Sequence, residues 1–394
     1  METESQDPTG NGRSDPSEGE KTTLKILHLG DVFLDSPVER LRRDTKEHRR
    51  EELREAFASF MQRVDEEKAN AVIFSGNLFD SRYVGEDTLR FLLKSFGARP
   101  SCHFVIAPGP FDPYDKQSIY RSKRFPRNVH VFLEEVLGTY NFFDLPLTVY
   151  GWGYCADRLS HAPLTGASKG ITDRFSVLCG YARLDAEATL VDAAAVAAFG
   201  AHYTALSGAP HSGFQRSGDG ICAYSGSFEG RDDGTETEIV GGYIRVCAQK
   251  SEDGWHVAAE RVPLDTYLYV TERLDVSHLS SHDTVRARAE AMIRDAGYGA
   301  KTVLRLILFG SVPLSVNFAT VELPDHGLYA LHVEDHTVPT DNAEFLLREM
   351  NARGELYRHF YPQMTGGTET ERARAARAFR IGYAALCGED FAKY

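Results

Sequence analysis

Gly30-Asp31-Val32-Phe33-Leu34-Asp35 follows directly on the apolar run Lys25–Leu29, and the same arrangement returns three more times along the chain. Gly76-Asn77-Leu78-Phe79-Asp80 follows Ala71–Ser75, Gly109-Pro110-Phe111-Asp112 follows His103–Ala107, and Ser207-Gly208-Ala209-Pro210-His211 follows His202–Leu206. Short apolar runs bounded by glycine and aspartate read as buried strands, so each segment is expected on the loop leaving a strand. Further strand-like runs at Asn128–Phe132, Leu147–Trp152 and Phe175–Cys179 continue the pattern. Between the first two runs, Leu53, Phe57, Phe60, Met61 and Val64 fall at helical spacing, which predicts a helix from Thr45 to about Glu67 with that face in the core. Alternating strands and helices of this kind imply an α/β sandwich.

After His211 the texture changes to strands without intervening helices, at Gly220–Tyr224, Ile239–Ala248 and Trp255–Val262. These are expected to complete the second sheet. Pro263-Leu264-Asp265 reads as a linker into a smaller β-α-β unit built from Tyr267–Leu274, a helix around Thr284–Asp295, Thr302–Phe309 and Ala319–Glu322. Two helices, Asn342–Arg353 and Thr370–Leu386, are expected to finish the chain.

Bulk properties narrow the function classes. A chain of 394 residues with 42% hydrophobic content buries a large core, and its length suggests two domains rather than one. The net charge of −13 argues against coating nucleic acid by electrostatics alone, so any DNA contact must come from a local basic patch or a partner. Six scattered cysteines with no C-x-x-C pair indicate neither a zinc knuckle nor a disulfide framework. Residues 1–22 are rich in Glu, Ser, Pro, Gly and Asp and read as a disordered tail. With no apolar run near the roughly 18 residues that span a bilayer, the expectation is a cytoplasmic protein without membrane contact.

The four loop segments resemble those of the calcineurin-like metallophosphoesterases, most of all the SbcD/YhaO-type DNA repair exonucleases, which write them D-x-H-x-D, G-D-x-x-D, G-N-H-D and G-H-x-H. Leu34-Asp35-Ser36-Pro37, Phe125-Pro126-Arg127-Asn128-Val129-His130-Val131-Phe132 and Tyr224-Ser225-Gly226-Ser227-Phe228-Glu229-Gly230-Arg231 are also typical of that group. The resemblance implies a four-layer αββα sandwich with a small C-terminal α+β capping domain. Its segments would be the tail (1–22), the metallophosphoesterase-like domain (23–262), the capping domain (263–340) and C-terminal helices (341–394).

The family chemistry uses two Mn- or Mg-type ions bridged by a shared carboxylate, and this chain departs from it at nearly every ligand. Asp31 matches the first carboxylate. Phe33 stands at the histidine of D-x-H, Asn77 at the bridging aspartate, Pro110 at the ligand asparagine, and Phe111 at the histidine that assists proton transfer. A further family histidine falls at Gly180 or Tyr181, and neither residue supplies an imidazole. Gly208 and Pro210 take the histidine positions of G-H-x-H, with His211 one place off, where extended chain would turn it the other way. Asp35, Asp80 and Asp112 match family acids that orient loops and do not bind metal. The expectation is a vestigial site with no catalytic or metal-binding residues and no cofactor, in which Phe33 and Phe111 pack together over Asp31. A single weakly held cation near Asp31 and His211 is the alternative.

His28, His103, His130 and His202 are read as hydrogen-bonded structural residues. Arg42 and Arg43 belong to the most basic stretch of the chain, and with Arg216 and Arg231 they are the candidates for DNA or phosphate contact. Arg372, Arg374, Arg377 and Arg380 among the alanines of the last helix suit an acidic or apolar partner surface. By resemblance, the partners would be an SMC-type ATPase of the SbcC kind, DNA, or a second copy. The leading functional expectation is a non-catalytic scaffold or DNA- or partner-binding subunit. A metal-dependent exonuclease or phosphodiesterase with relocated ligands, and a small-ligand sensor in the old cleft, are the competing ones.

Overall fold

The structure, a computed structural model, describes residues 22–37, 43–122, 124–170, 172–185, 190–230, 239–277, 279, 281–314, 318, 323, 327–339 and 343–388. The first sheet runs in the order β12 (Gly254–Pro263), β11 (Gly242–Ser251), β1 (Thr23–Leu29), β2 (Ala71–Phe74), β3 (His103–Ile106) and β4 (Val129–Val131). The second runs β5 (Gly138–Asn141), β6 (Leu147–Gly151), β7 (Phe175–Tyr181), β8 (Tyr203–Ser207), β10 (Gly220–Tyr224) and β9 (Gly213–Ser217). β1 to β4 are mutually parallel, as are β6, β7, β8 and β10.

Both faces of each sheet are covered, which is why the parallel strands are apolar on successive residues. Ile26, Ile73 and Val105 meet Val149, Val177, Tyr203 and Ala205 between the sheets. Their neighbours Leu27, Val72 and Phe104 turn outward onto α1 (Arg43–Glu66) and α2 (Glu86–Gly97) through Phe57, Phe60, Leu92 and Phe96. On the far side, Leu178 and Leu206 pack against Val196 and Phe199 of α4 (Ala193–Phe199). Each such side chain contributes about 1.5–3 kcal/mol by leaving water. The result is the four-layer αββα metallophosphoesterase sandwich.

One assignment from sequence is corrected. β11 and β12 do not complete the second sheet; they extend the first, with β11 antiparallel to β1 from Thr23↔Gln249 to His28↔Ile244. A strand's residue pattern encodes which faces are buried but not which sheet it joins.

Beyond β12, β13 (Leu268–Asp275), β14 (Thr302–Val312) and β15 (Ala330–Pro339) form a three-stranded parallel sheet. α5 (His282–Ala296) covers one face through Val285 and Ala289 against Leu274, Leu306 and Leu308. The third strand is β15; the strand expected at Ala319–Glu322 lies outside the described residues. The single helix expected over Asn342–Arg353 is two, α6 (Ala343–Arg348) and α7 (Ala352–Thr365), because the Asn351 side chain accepts from Gly354 N at 3.0 Å and starts a new helix. α8 (Glu369–Cys387) begins with a Thr368/Glu371 capping box and is pinned to β15 by the buried Arg380, which reaches Asp335 at 3.1 Å and Thr337 at 2.8 Å. α1 meets the entry to this three-stranded sheet through Glu52, which accepts from Tyr267 at 2.5 Å and Tyr329 at 3.1 Å.

Candidate functional site

The four loops identified in the sequence converge at one end of the sandwich, beyond the C-terminal ends of β1, β2, β3 and β8. Open α/β sheets bind ligands at this end. The first loop is strained. Asp31, Phe33 and Asp35 have φ of 50°, 52° and 62°, the left-handed region that bulky residues rarely enter. Backbone bonds compensate, from Asp31 N to Gly76 O, Phe33 N to Asn77 O and Leu34 N to Leu78 O, all 3.0–3.1 Å.

Asp31 and Asn77 are both buried, and they are bonded to each other. Asn77 Nδ2 donates to Asp31 Oδ1 at 2.6 Å, and Gly208 N donates to Asp31 Oδ2 at 3.1 Å. Asn77 Oδ1 accepts from Phe111 N at 3.0 Å. Both carboxylate oxygens of Asp31 and both polar atoms of the Asn77 amide thus have a partner within the protein. A Cβ on Gly109 would lie 2.5 Å from Asn77 Oδ1, so this close approach requires a glycine.

Asp112 holds the Asn77 and Gly109 loops together. Its Oδ1 accepts from Asn77 N at 3.0 Å and Gly109 N at 2.6 Å, and its Oδ2 from Leu78 N at 2.9 Å and the Tyr120 hydroxyl at 2.7 Å. Complete burial pushes its carboxyl up to about 6 against the pull of these four donors. Asp35 similarly ties Arg54 (2.7 Å) to Gly85 N (2.8 Å), and Asp80 binds Arg82. These acids orient loops.

Of the two residues left open in the sequence, Tyr181 is the one that faces the loops. On β7, Gly180 turns away from the loops toward the buried Trp152, whose indole a Cβ on Gly180 would overlap. Tyr181 turns toward them, its ring 2.7 Å from where a Cβ on Gly76 would lie. Burial, and then the Asp31 charge, raise the Tyr181 hydroxyl well above the ordinary tyrosine range, while the Asn77 side chain opposes the shift. Restoring an imidazole at Gly180 is thus blocked by Trp152. At Gly208 it is opposed by a φ of 108° and by Tyr181 Cζ, 3.0 Å from a would-be Cβ.

Phe33 and Phe111 do pack together, edge to face, with ring centroids 5.2 Å apart. They do not form a sunken plug. Phe111 is 40% exposed and carries the Arg82 guanidinium 5.5 Å from its centroid, so the pair forms part of the site's surface. Pro110 is half-buried beside them, Pro210 is half-buried, and His211 is exposed in the bend after β8.

Of the basic candidates, Arg216 is not brought to this centre. Arg216 is exposed on β9, which starts at the site end and runs away from it, placing Arg216 opposite Ile221. Arg42 and Arg231 lie outside the described residues, and of Arg43 only the helical backbone is described. Of the structural histidines, His28 bridges Tyr203 Oη and Ser75 Oγ at 2.8 Å each, His103 meets His130 at 3.2 Å, and His202 meets Ser176 at 2.8 Å. Among the described residues, no group of three or more His, Cys, Asp or Glu is placed to hold a metal ion, and no helix is long and apolar enough to cross a membrane.

The fold is a metallophosphoesterase-type α/β sandwich. Residues 24–204 match the family described as Calcineurin-like phosphoesterase. No curated protein matches the chain by sequence. Similar solved structures include TT1561 of Thermus thermophilus, at 11% identity over 60% of this chain and 99% of that one, with TM-score 0.34. A putative 5'-nucleotidase from Staphylococcus aureus is 12% identical over 70% of this chain and 58% of its own, with TM-score 0.41. Wild-type Vps29 from Entamoeba histolytica is 11% identical over 61% and 99%, with TM-score 0.30.

Proposed function

We propose that this chain is a catalytically degenerate homologue of the SbcD/YhaO-type exonucleases, acting as a non-catalytic scaffold or as a DNA- or partner-binding subunit, with an SMC-type ATPase of the SbcC kind as its partner. The observation that carries this reading is the bond from Asn77 Nδ2 to Asp31 Oδ1. A two-metal centre needs two negative oxygen sets facing shared cations, and here a neutral amide presents its N–H₂ group to the one remaining carboxylate. Phe33, Pro110 and Phe111 offer no donor atom for a metal. The residues present therefore do not fit a metal pair.

The test is an activity assay with its own control. Loss of the proton-transfer histidine at Phe111 alone costs about 10²–10⁴ in rate, and loss of metal activation removes the nucleophile altogether. The purified chain is expected to show no Mn²⁺-dependent digestion of linear or single-stranded DNA and no hydrolysis of simple phosphodiesters. Activity abolished by Asp31→Ala in a folded protein would establish the competing exonuclease reading. Activity that survives Asp31→Ala would come from another site or a contaminant.

A further inference from the structure

A chain of net charge −13 can hold a polyanion only on a local basic surface, and the stretch that follows the third site loop is one. Between Pro113 and Asn128 it carries Lys116, Arg121, Lys123, Arg124 and Arg127 against a single acid, Asp115. Lys123 lies outside the described residues. The other four are exposed, and none has a side-chain hydrogen bond or ion pair among the described residues. The arginines that precede them in the chain differ: Arg82, Arg90 and Arg99 are paired with Asp80, Asp87 and Asp65 at 2.7, 3.2 and 2.6 Å. Cations gathered without carboxylates repel one another, and a bound polyanion removes that repulsion.

Packing holds this stretch against the rim of the candidate site. α3 (Ile119–Ser122) is tied to the third loop by the Tyr120 hydroxyl, which donates to Asp112 Oδ2 at 2.7 Å. Arg121 thus sits beside the loop that presents Phe111, its guanidinium carbon 5.5 Å from the Tyr114 ring centroid. Phe125 meets the Tyr120 ring at 5.7 Å, which keeps the neighbouring Arg124 close to Arg121.

Two rings stand in solvent at the site end of the stretch, Phe111 and Tyr83, at 40% and 42% exposure. They flank the Arg82 guanidinium, 5.5 and 5.3 Å from their centroids, and Asp80 holds that guanidinium through bonds of 3.0 and 2.7 Å. Ser81 N donates to Phe111 O at 2.9 Å and joins their loops. The rings are therefore placed before any ligand arrives, which spares ordering entropy on binding. Arg82, neutralised by Asp80, positions the rings and is not one of the free cations.

We infer that this surface binds single-stranded nucleic acid, with bases stacked on Phe111 and Tyr83 and phosphates lying on Lys116, Arg121, Arg124 and Arg127. Every base has a π-face, so the stacking is tolerant of sequence, and unpaired bases are the ones free to reach the rings. An acidic polypeptide would meet the cations but bring no flat face to the rings. The inference rests on the non-catalytic reading above and selects nucleic acid as the ligand. Binding is measured in EDTA, so it can fail while the absence of hydrolysis stands, and the reverse.

Fluorescence anisotropy of labelled oligo(dT) and oligo(U), titrated with the full chain from about 50 to 200 mM salt, is the test. Binding of either strand carries the inference, with a dissociation constant of about 1–100 µM at the upper end. Log affinity should fall against log salt with a slope of about −2 to −3, the value for about three or four neutralised phosphates on a single strand. Arg124→Glu should weaken binding about 10-fold and reduce the slope by about 1. Arg216→Glu makes the same charge change at an exposed position on β9 and should alter neither. Phe111→Leu keeps an apolar contact for Phe33 but removes the flat ring, and should weaken binding about 5-fold or more with the slope unchanged. Four results would overturn the inference. They are no binding at the lowest salt, equal losses from Arg124→Glu and Arg216→Glu, unaltered affinity in Phe111→Leu, and displacement by polyglutamate as effective as by unlabelled oligo(dT), which would mark a site for an acidic polypeptide.

Discussion

Asn77→Asp is expected to destabilise the protein by about 3 kcal/mol or more at pH 7, although it installs the residue that the resembled exonucleases carry there. The change puts a second carboxylate 2.6 Å from Asp31 in a buried site and removes the N–H donor that now satisfies Asp31 Oδ1. Two carboxylates at that distance do not both stay ionised, so one is held protonated and its folded pKa rises. A group so raised contributes stability below its unfolded pKa that is lost as pH rises through the folded value. The denaturation midpoint of the variant should therefore converge on wild type as pH falls toward 4 and diverge above it. Millimolar Mn²⁺ should not rescue the variant, because Phe33, Pro110 and Phe111 supply none of the other ligands. Full rescue by Mn²⁺ at pH 7 would show that one substitution suffices to rebuild a cation site.

The protein is also expected to lose stability steeply as pH falls below about 6.5, chiefly through His28. Complete burial lowers its pKa to about 3, and burial lowers those of His130 and His202 to about 4. In the unfolded chain each titrates near 6.5, so between these values the unfolded state binds more protons than the folded one. Stability from these groups is present in full above the unfolded pKa and drains away as pH drops toward the folded values. Asp112 works in the other direction, since its raised pKa contributes stability that is lost as pH rises toward 6. One carboxyl does not offset three imidazoles, of which His28 alone is displaced further. The half-exposed His130 and His202 count for less, because solvent screens them. The net effect should be a few kcal/mol between pH 7 and pH 4.5, measured by denaturant unfolding. His28→Gln, which can still bond Tyr203 and Ser75, should flatten much of that slope. An unchanged slope would move the effect to other groups.

Much of this was legible in the sequence because the loop glycines and aspartates have local jobs. Gly109 must be small beneath Asn77, and Asp112 must gather four donors, so both announce the loop geometry whether or not a metal is bound. What was not legible depended on contacts distant in the chain. Nothing in β11 says that it pairs with β1 and not with the second sheet. β15 reads Leu-His-Val-Glu-Asp-His-Thr-Val, half-buried and rich in charge, and it lacks the apolar run that marks the sandwich strands. The α7 helix was hidden by Gly354 and Pro362, which tertiary packing tolerates through Tyr357 and Met364. Whether Gly180 or Tyr181 faces the site was decided by Trp152, which directly follows the neighbouring strand β6. The Asp31–Asn77 bond was likewise invisible, since an alignment of motifs registers a lost ligand but not the new partner of the one that remains.

Metal stoichiometry at Asp31 tests the central claim most directly. The wild-type chain and Asp31→Ala would be equilibrated side by side with Mn²⁺ and with Zn²⁺, dialysed and analysed for metal content. Well under one ion per chain is expected in both, with no difference between them. Two ions per wild-type chain that are lost on Asp31→Ala would contradict it.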